Sequence, residues 1–289
     1  MNLQNIVTEI EKTDPSFYDR LDTRRNAMKG FANLSGKLAL AAVPLALSSM
    51  LTKAYAGDSG QSVSAVNDVL NYALTLEYLE AAFYNNIIAS PVYSTIPAPA
   101  QGALAKIADD ENKHVAFLRS VLGPAAVSSP VFDFTAGNGS GNGPFAGYLT
   151  NYAIQLAMAQ TFEDTGVRAY KGQAAALMSD NVVLTAALNI HSVEARHASH
   201  IRQMRRALGA AVPAGVNLKP YITLKQSGID APFNTAVQPS YDGEEITNQA
   251  GVNLLTVGGM TFSPEAASAA FDEPLTMAEV LAIVDPFIV

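Results

Sequence analysis

Apolar residues recur at spacings of three and four along four stretches of the chain, the period of a helix that buries one face. The first covers about Ser64 to Ile88, with Val66, Leu70, Ala73, Leu74, Ala81 and Tyr84 on one stripe. The second covers about Gln101 to Leu122 and meets a stop at Gly123-Pro124. The third runs from about Phe145 to Met178, and the fourth from about Asn181 to Leu208, just before Gly209. Between the second and third lies GPAAVSSPVFDFTAGNGSGNGPF, whose glycine, asparagine and proline content reads as loop. Only a few residues around Ser179 and Asp180 join the last two helices, which makes them antiparallel neighbours, and the modest link SPVYSTIPAP pairs the first two. Extended, the long loop reaches roughly 70 Å, enough to return along a helix of about 37 Å. The fold class expected is all-α: a four-helix bundle of two antiparallel pairs joined by a long crossover, residues 57–209. A mixed extension, residues 210–289, should pack on it, with a short strand at NLLTV and short helices at SPEAASAAF and TMAEVLAIV. No chemistry is legible in that extension.

Residues 1–56 follow a different pattern. A polar stretch leads to TRRNAMK (Thr23 to Lys29), then to an apolar run from about Leu38 to Leu51, then to AYA at Ala54 to Ala56. A run this short falls below the roughly 20 residues of a membrane span and describes an export signal cut after Ala56. It resembles a twin-arginine signal, although Ala27 stands where a large apolar residue is usual. The resemblance implies export of an already folded protein to the periplasm or beyond, with no stable membrane span once the signal is gone.

Composition narrows the chemistry. There is no cysteine, so disulfides and thiolate metal sites are excluded. The formal net charge is -8. The signal holds 7 of the 18 basic and 5 of the 26 acidic residues, leaving 11 and 21 and a net charge of -10. That balance argues against a nucleic-acid partner, whose phosphates need clustered lysine and arginine. Small molecules, metals and protein partners remain.

Four glutamates interrupt the apolar stripes themselves. Glu77 lies between Leu74 and Ala81, Glu111 between Ala108 and Val115, Glu163 between Leu156 and Val167, and Glu194 between Ile190 and Ile201. A carboxylate in a bundle core costs several kcal/mol unless it is paired or bound to metal, and four converge here. The lysines and arginines are few and read mostly as polar-face residues, so a pair of divalent cations is the natural counter-charge. Glu111-x-x-His114 and Glu194-x-x-His197 each place a carboxylate and an imidazole where both reach one inward point. The pattern also repeats: Glu77 is followed seven residues on by Tyr84, and Glu163 seven residues on by Tyr170, so each half reads Glu, Tyr, then Glu-x-x-His.

These motifs resemble those of the ferritin-like superfamily, in which di-iron and di-manganese sites take one glutamate from each of two helices and a Glu-x-x-His from each of the other two. The phrases NYALTLEYLEAAFY, DDENKHVAFLRSVLG and VEARHASHIR are most similar to its exported branch, which includes the desiccation-related proteins. The resemblance spans about Val63 to Gly209 and FDEPLTMAEVLAIVDPF near the end. It implies a ferritin-like bundle with Glu77, Glu111, His114, Glu163, Glu194 and His197 as ligands to two iron or manganese ions, Glu111 and Glu194 bridging. Tyr84 and Tyr170 would donate hydrogen bonds to ligating groups. The implied activity is redox chemistry with dioxygen or peroxide, either ferrous oxidation or peroxide disproportionation. The alternative is a non-enzymatic stress or desiccation protein in which the metals act as a staple. The 80-residue extension argues against a ferritin cage and leaves a homo-oligomer open.

Neighbouring residues read more plainly. Glu80 is matched in the second half by Gly166 and is taken as a solvated or supporting group outside the ligand set. His191 and His200 drift off the inward face, where helix-face hydrogen bonds suffice. Asp110 and Asp164 either orient the histidines or lie at the surface, and Arg119, Arg168 and Arg196 are taken as outer or surface salt-bridge residues.

Overall fold

A computed structural model describes residues 63–289; the segment expected to be an export signal ending at Ala56 lies outside the described residues. Four long helices form the bundle: α1 (Val63–Ala89), α2 (Ala98–Leu122), α3 (Tyr152–Gln173) and α4 (Asn181–Leu208). α1 packs along α2, and α3 along α4. Both pairs are antiparallel. Asn71 bonds Ala125 near one end of the first pair while Tyr93 bonds Gln101 at the other, and in the second pair Arg205 meets Gln160 while His191 meets Val167.

Capping residues place the ends. Asn151 accepts from the amides of Ala153 and Ile154, and Asp180 from those of Val182 and Val183, satisfying donors that a helix start leaves open. Gly209, at φ 69°, closes α4 in the left-handed conformation that glycine adopts without a Cβ penalty. α3 therefore begins at Tyr152, not near Phe145. The helical spacing of Phe145 and Tyr148 is real, but both side chains are buried from the crossover, upstream of the Asn151 cap.

The crossover, residues 123–151, is ordered by its own polar and aromatic groups. The Asp133 carboxylate accepts from Thr135 N, Thr135 Oγ1 and Gly141 N, and Asp133 N donates to Phe287 O at 2.8 Å. Phe145 stacks on Phe287, which meets Phe162 edge-on, and Phe162 in turn meets Phe83 edge-on. Phe134 and Tyr148 complete this aromatic plug at one end of the bundle.

The extension holds three short helices, α5 (Asn234–Val237), α6 (Pro264–Ser268) and α7 (Met277–Val284), and a two-residue hairpin. β1 (Asn248–Gln249) pairs antiparallel with β2 (Val252–Asn253), with Gln249 opposite Val252. Leu254–Thr256 is a 3-10 turn, so most of NLLTV is not strand. Thr276 and Glu279 form a reciprocal capping box on α7.

The extension changes the surroundings of α3. Every residue from Gln155 to Tyr170 is buried, polar ones included, because the extension covers the face of α3 turned away from the bundle core. Gln160 Nε2 donates to Ser227 O and Tyr241 Oη, and Thr165 Oγ1 to Ser240 Oγ. Arg168, expected at an outer or surface position, is 1% exposed: its Nε lies 2.8 Å from a Glu244 carboxylate oxygen, and its Nη atoms donate to Ser240 O and Asp242 O. Gly172 allows the chain to cross here, since a Cβ would sit 1.9 Å from Leu275 O.

Candidate metal centre

Glu77, Glu111, Glu163 and Glu194 are all fully buried, one from each bundle helix, and His114 and His197 sit one turn beyond Glu111 and Glu194. His114 Nδ1 lies 3.1 Å from Glu77 Oε2, 3.0 Å from Glu111 Oε2 and 3.4 Å from Glu194 Oε1. His197 Nδ1 lies 2.8 Å from Glu111 Oε1 and 3.3 Å from Glu163 Oε2. All six residues singled out by the repeat thus come together around one point.

They form two overlapping sets. Glu77, Glu111, His114 and Glu194 offer ligand atoms within 4.8 Å of one another, and so do Glu111, Glu163, Glu194 and His197. Glu111 and Glu194 belong to both, the placement that bridging requires. The two tyrosines hold the outer glutamates: Tyr84 Oη donates to Glu163 Oε1 at 2.5 Å, and Tyr170 Oη donates to Glu77 Oε1. Each leaves the other carboxylate oxygen turned to the cluster.

Whether this cluster suits a cation is decided by what its atoms lack. Glu111 Oε1, Glu163 Oε2, both oxygens of Glu194 and His197 Nδ1 are buried without a hydrogen-bond partner. The 2.8 Å approach of His197 Nδ1 to Glu111 Oε1 is close but misaligned, so it satisfies neither atom. Buried polar atoms are nearly always paired, and unpaired ones signal an ion or water. Five on one cluster, all oxygen or imidazole nitrogen, match the donors that hard or borderline divalent metals prefer.

Without a cation the protons must compensate. Burial, then the charges of Glu111 and Glu163, hold Glu194 well above the usual carboxylate range. Burial likewise raises Glu111 and Glu163, against the pull of the histidines. For His197 burial opposes protonation, but Glu163 and Glu111 outweigh it and push the imidazole up to about 11. His114 moves the same way under its three carboxylate neighbours.

Of the two expectations for Glu80, a solvated or a supporting group, burial removes the solvated one. The residue is 3% exposed, and its carboxyl is held well above its ordinary range by burial and then by Glu194, Glu163, Glu111 and Glu77. Its signal was Gly166, where a Cβ would stand 2.9 Å from Glu194 Oε2 and 3.1 Å from Glu80 Oε1. The missing side chain in one half makes room for the extra carboxylate of the other.

Of the two flanking aspartates, Asp110 Oδ2 lies 3.4 Å from His197 Nε2, on the side away from the cluster. Asp164 orients no histidine; it is buried, paired with Arg202, and accepts from Tyr241 Oη at 2.8 Å. His191 Nδ1 bonds Val167 O at 2.9 Å, a helix-to-helix contact, and His200 is exposed. Arg168, Arg202 and Arg205 are buried, contrary to the expectation of polar-face positions, but each is held by α3 or the extension. None neutralises the cluster.

The fold and the site together define a helical bundle with a carboxylate and histidine cluster at its centre. A family model described as a ferritin-like domain matches residues 65–207, which span the whole cluster, so the bundle is a ferritin-like domain. Neither the curated proteins nor the solved structures offer a match to this chain. Among the described residues, no helix is long and apolar enough to cross a membrane.

Proposed function

We propose that this protein is an exported di-metal carboxylate protein whose centre performs redox chemistry on dioxygen or peroxide. The observation that carries this reading is the pair of overlapping ligand sets sharing Glu111 and Glu194, with five buried donor atoms lacking any other partner. Glu77 and His114 would hold one ion, Glu163 and His197 the other, and Glu111 and Glu194 both. Iron or manganese held by these residues would supply one-electron redox chemistry of the kind that ferrous oxidation by dioxygen or peroxide disproportionation requires.

The chain's own part is positional and protic. Tyr84 and Tyr170 fix the outer carboxylates. Asp110 beside His197 Nε2 steadies the ring with Nδ1 turned inward. Glu80, buried against the cluster but outside both ligand sets, is placed to hold a proton near the reacting groups. The aromatic plug and the extension keep bulk water from two sides. Membership of the desiccation-related branch and the twin-arginine signal belong to the same reading and rest on the sequence alone; loading metal before export would suit a signal that carries folded cargo.

Metal content after aerobic reconstitution with iron and with manganese, together with ferrous oxidation and peroxide assays, tests the proposal. About two ions per chain with turnover supports it, and fewer than one per chain ends it. Full occupancy without turnover favours the staple. Retention of metal by Glu111→Ala would show that the ligand assignment is wrong.

A further inference from the structure

Beyond the cluster, at the end of the bundle opposite the aromatic plug, all four helices line a cavity of about 20 Å³. Leu70 and Ala73 of α1, Leu118 of α2, Tyr170 of α3, and Ala187 and Ile190 of α4 form much of its wall. Three of these stand four residues from a cluster residue on the same helix: Ala73 from Glu77, Leu118 from His114, and Ile190 from Glu194. Four residues are about 6 Å of rise, so the cavity stacks directly on the cluster along the bundle axis. Tyr170 links the two: its ring lines the cavity and its hydroxyl donates to Glu77.

One water-sized molecule needs about 10–15 Å³ and two to four polar partners, whereas a purely apolar cavity stays dry and binds apolar guests such as xenon. This cavity has the room without the partners. Its lining is aliphatic and aromatic apart from Gln173 and two tyrosines. The Tyr170 hydroxyl is spent on Glu77, and the unpartnered Tyr72 hydroxyl is one polar group where a water or peroxide needs two to four. Hydrogen peroxide carries two O–H donors and would lose its hydration here for almost nothing in return. Dioxygen has no donors and the size of a xenon-like guest. Other openings suit it less: the plug is filled by stacked rings, the small gap beside Glu80, of about 10 Å³, is too tight, and the cavity of about 200 Å³ beside α3 and α4 is walled by the charged Asp164, Arg168, Arg202 and Asp272.

We propose that this apolar cavity is a dioxygen-binding site serving the carboxylate and histidine cluster, which makes dioxygen, ahead of peroxide, the oxidant the centre receives. The proposal rests on the redox reading of that cluster. Ala187 lies at the partly buried rim and Ala73 on the buried wall, so Ala187→Leu and Ala73→Leu fill the cavity from two sides without touching a cluster residue.

Xenon-pressurised crystals of the metal-free protein supply the first readout, one that needs no metal. Xenon should occupy the cavity in the wild type and be lost in at least one filled variant that stays folded. In iron-loaded protein that same variant should show KM for dioxygen raised about tenfold, with kcat at saturating dioxygen and peroxide-driven oxidation unchanged. Absence of xenon overturns the dioxygen assignment and leaves the redox reading standing. Xenon binding with an unchanged KM for dioxygen in the filled variants also overturns it. Xenon binding in a metal-loaded protein that turns over peroxide but consumes no dioxygen overturns this assignment alone, and one that consumes neither defeats the redox reading with it.

Discussion

Replacing Glu194 by glutamine should make the metal-free protein more stable and the metal-loaded protein less so. Glu194 is fully buried, both its oxygens lack partners, and Glu111 and Glu163 repel its charge. An unsatisfied buried polar group costs about 1–3 kcal/mol. Glutamine keeps the shape, needs no proton to be neutral and leaves one carbonyl still unpaired, so a net gain of about 1–3 kcal/mol is expected. For a domain of this size that raises Tm by about 2–12 °C. With metal the order reverses, because Glu194 belongs to both ligand sets. At free metal a hundred times Kd, a single bound ion stabilises by about 2.7 kcal/mol. The wild type should gain that much or more, and Glu194→Gln far less. Calorimetry of both proteins, after chelation and after reconstitution, reads all four values. A metal-free variant that melts below the wild type, or an equal metal-induced gain in both, would refute the idea that the cluster is strained by unmatched charge.

The pH dependence of the metal-free protein follows from the same crowding. His197 is raised in the folded state to about 11 from an ordinary 6.5, so its contribution is fully present below pH 6.5 and is lost as pH rises toward 11. Urea titrations of metal-free protein from pH 6.5 to 10 should show falling stability, while metal binding should release protons into weakly buffered solution. Tyr84→Phe and Tyr170→Phe each remove one hydrogen bond to a cluster carboxylate and should weaken metal binding about 10–100-fold without unfolding the bundle; competition with a chelator measures this. Arg168→Leu strands buried Glu244, whose carboxyl burial already pushes up to about 7 despite the arginine beside it, and should cost about 3–5 kcal/mol in urea unfolding. A loss below 1 kcal/mol there would mean that the extension is held by something else.

The helices, their pairing and the six cluster residues were legible because each leaves a local trace. Apolar residues at three and four mark a buried stripe, and a glutamate on that stripe is conspicuous since burying its charge is so costly. Asn151 and Asp180 mark helix starts in the same local way, and the third apolar stretch reaches back to Phe145 because Phe145 and Tyr148 keep a helical spacing while packing from a loop. Whether Glu80 was solvated or supporting stayed open because its environment is made by another helix: the space it fills exists only where Gly166 faces it. The burial of Arg168, Asp164 and Gln160 left no local trace for a related reason. Their spacing puts them on the face of α3 turned from the bundle core, which in a bare bundle meets water, and partners more than 60 residues away along the chain bury them. Periodicity within a helix thus determined which side chains turn toward the bundle centre. Which outward side chains are dry, and where the interior leaves a gap beside the cluster, depended on segments distant in the chain, because burial and packing are properties of the space between elements and leave no period along any one of them.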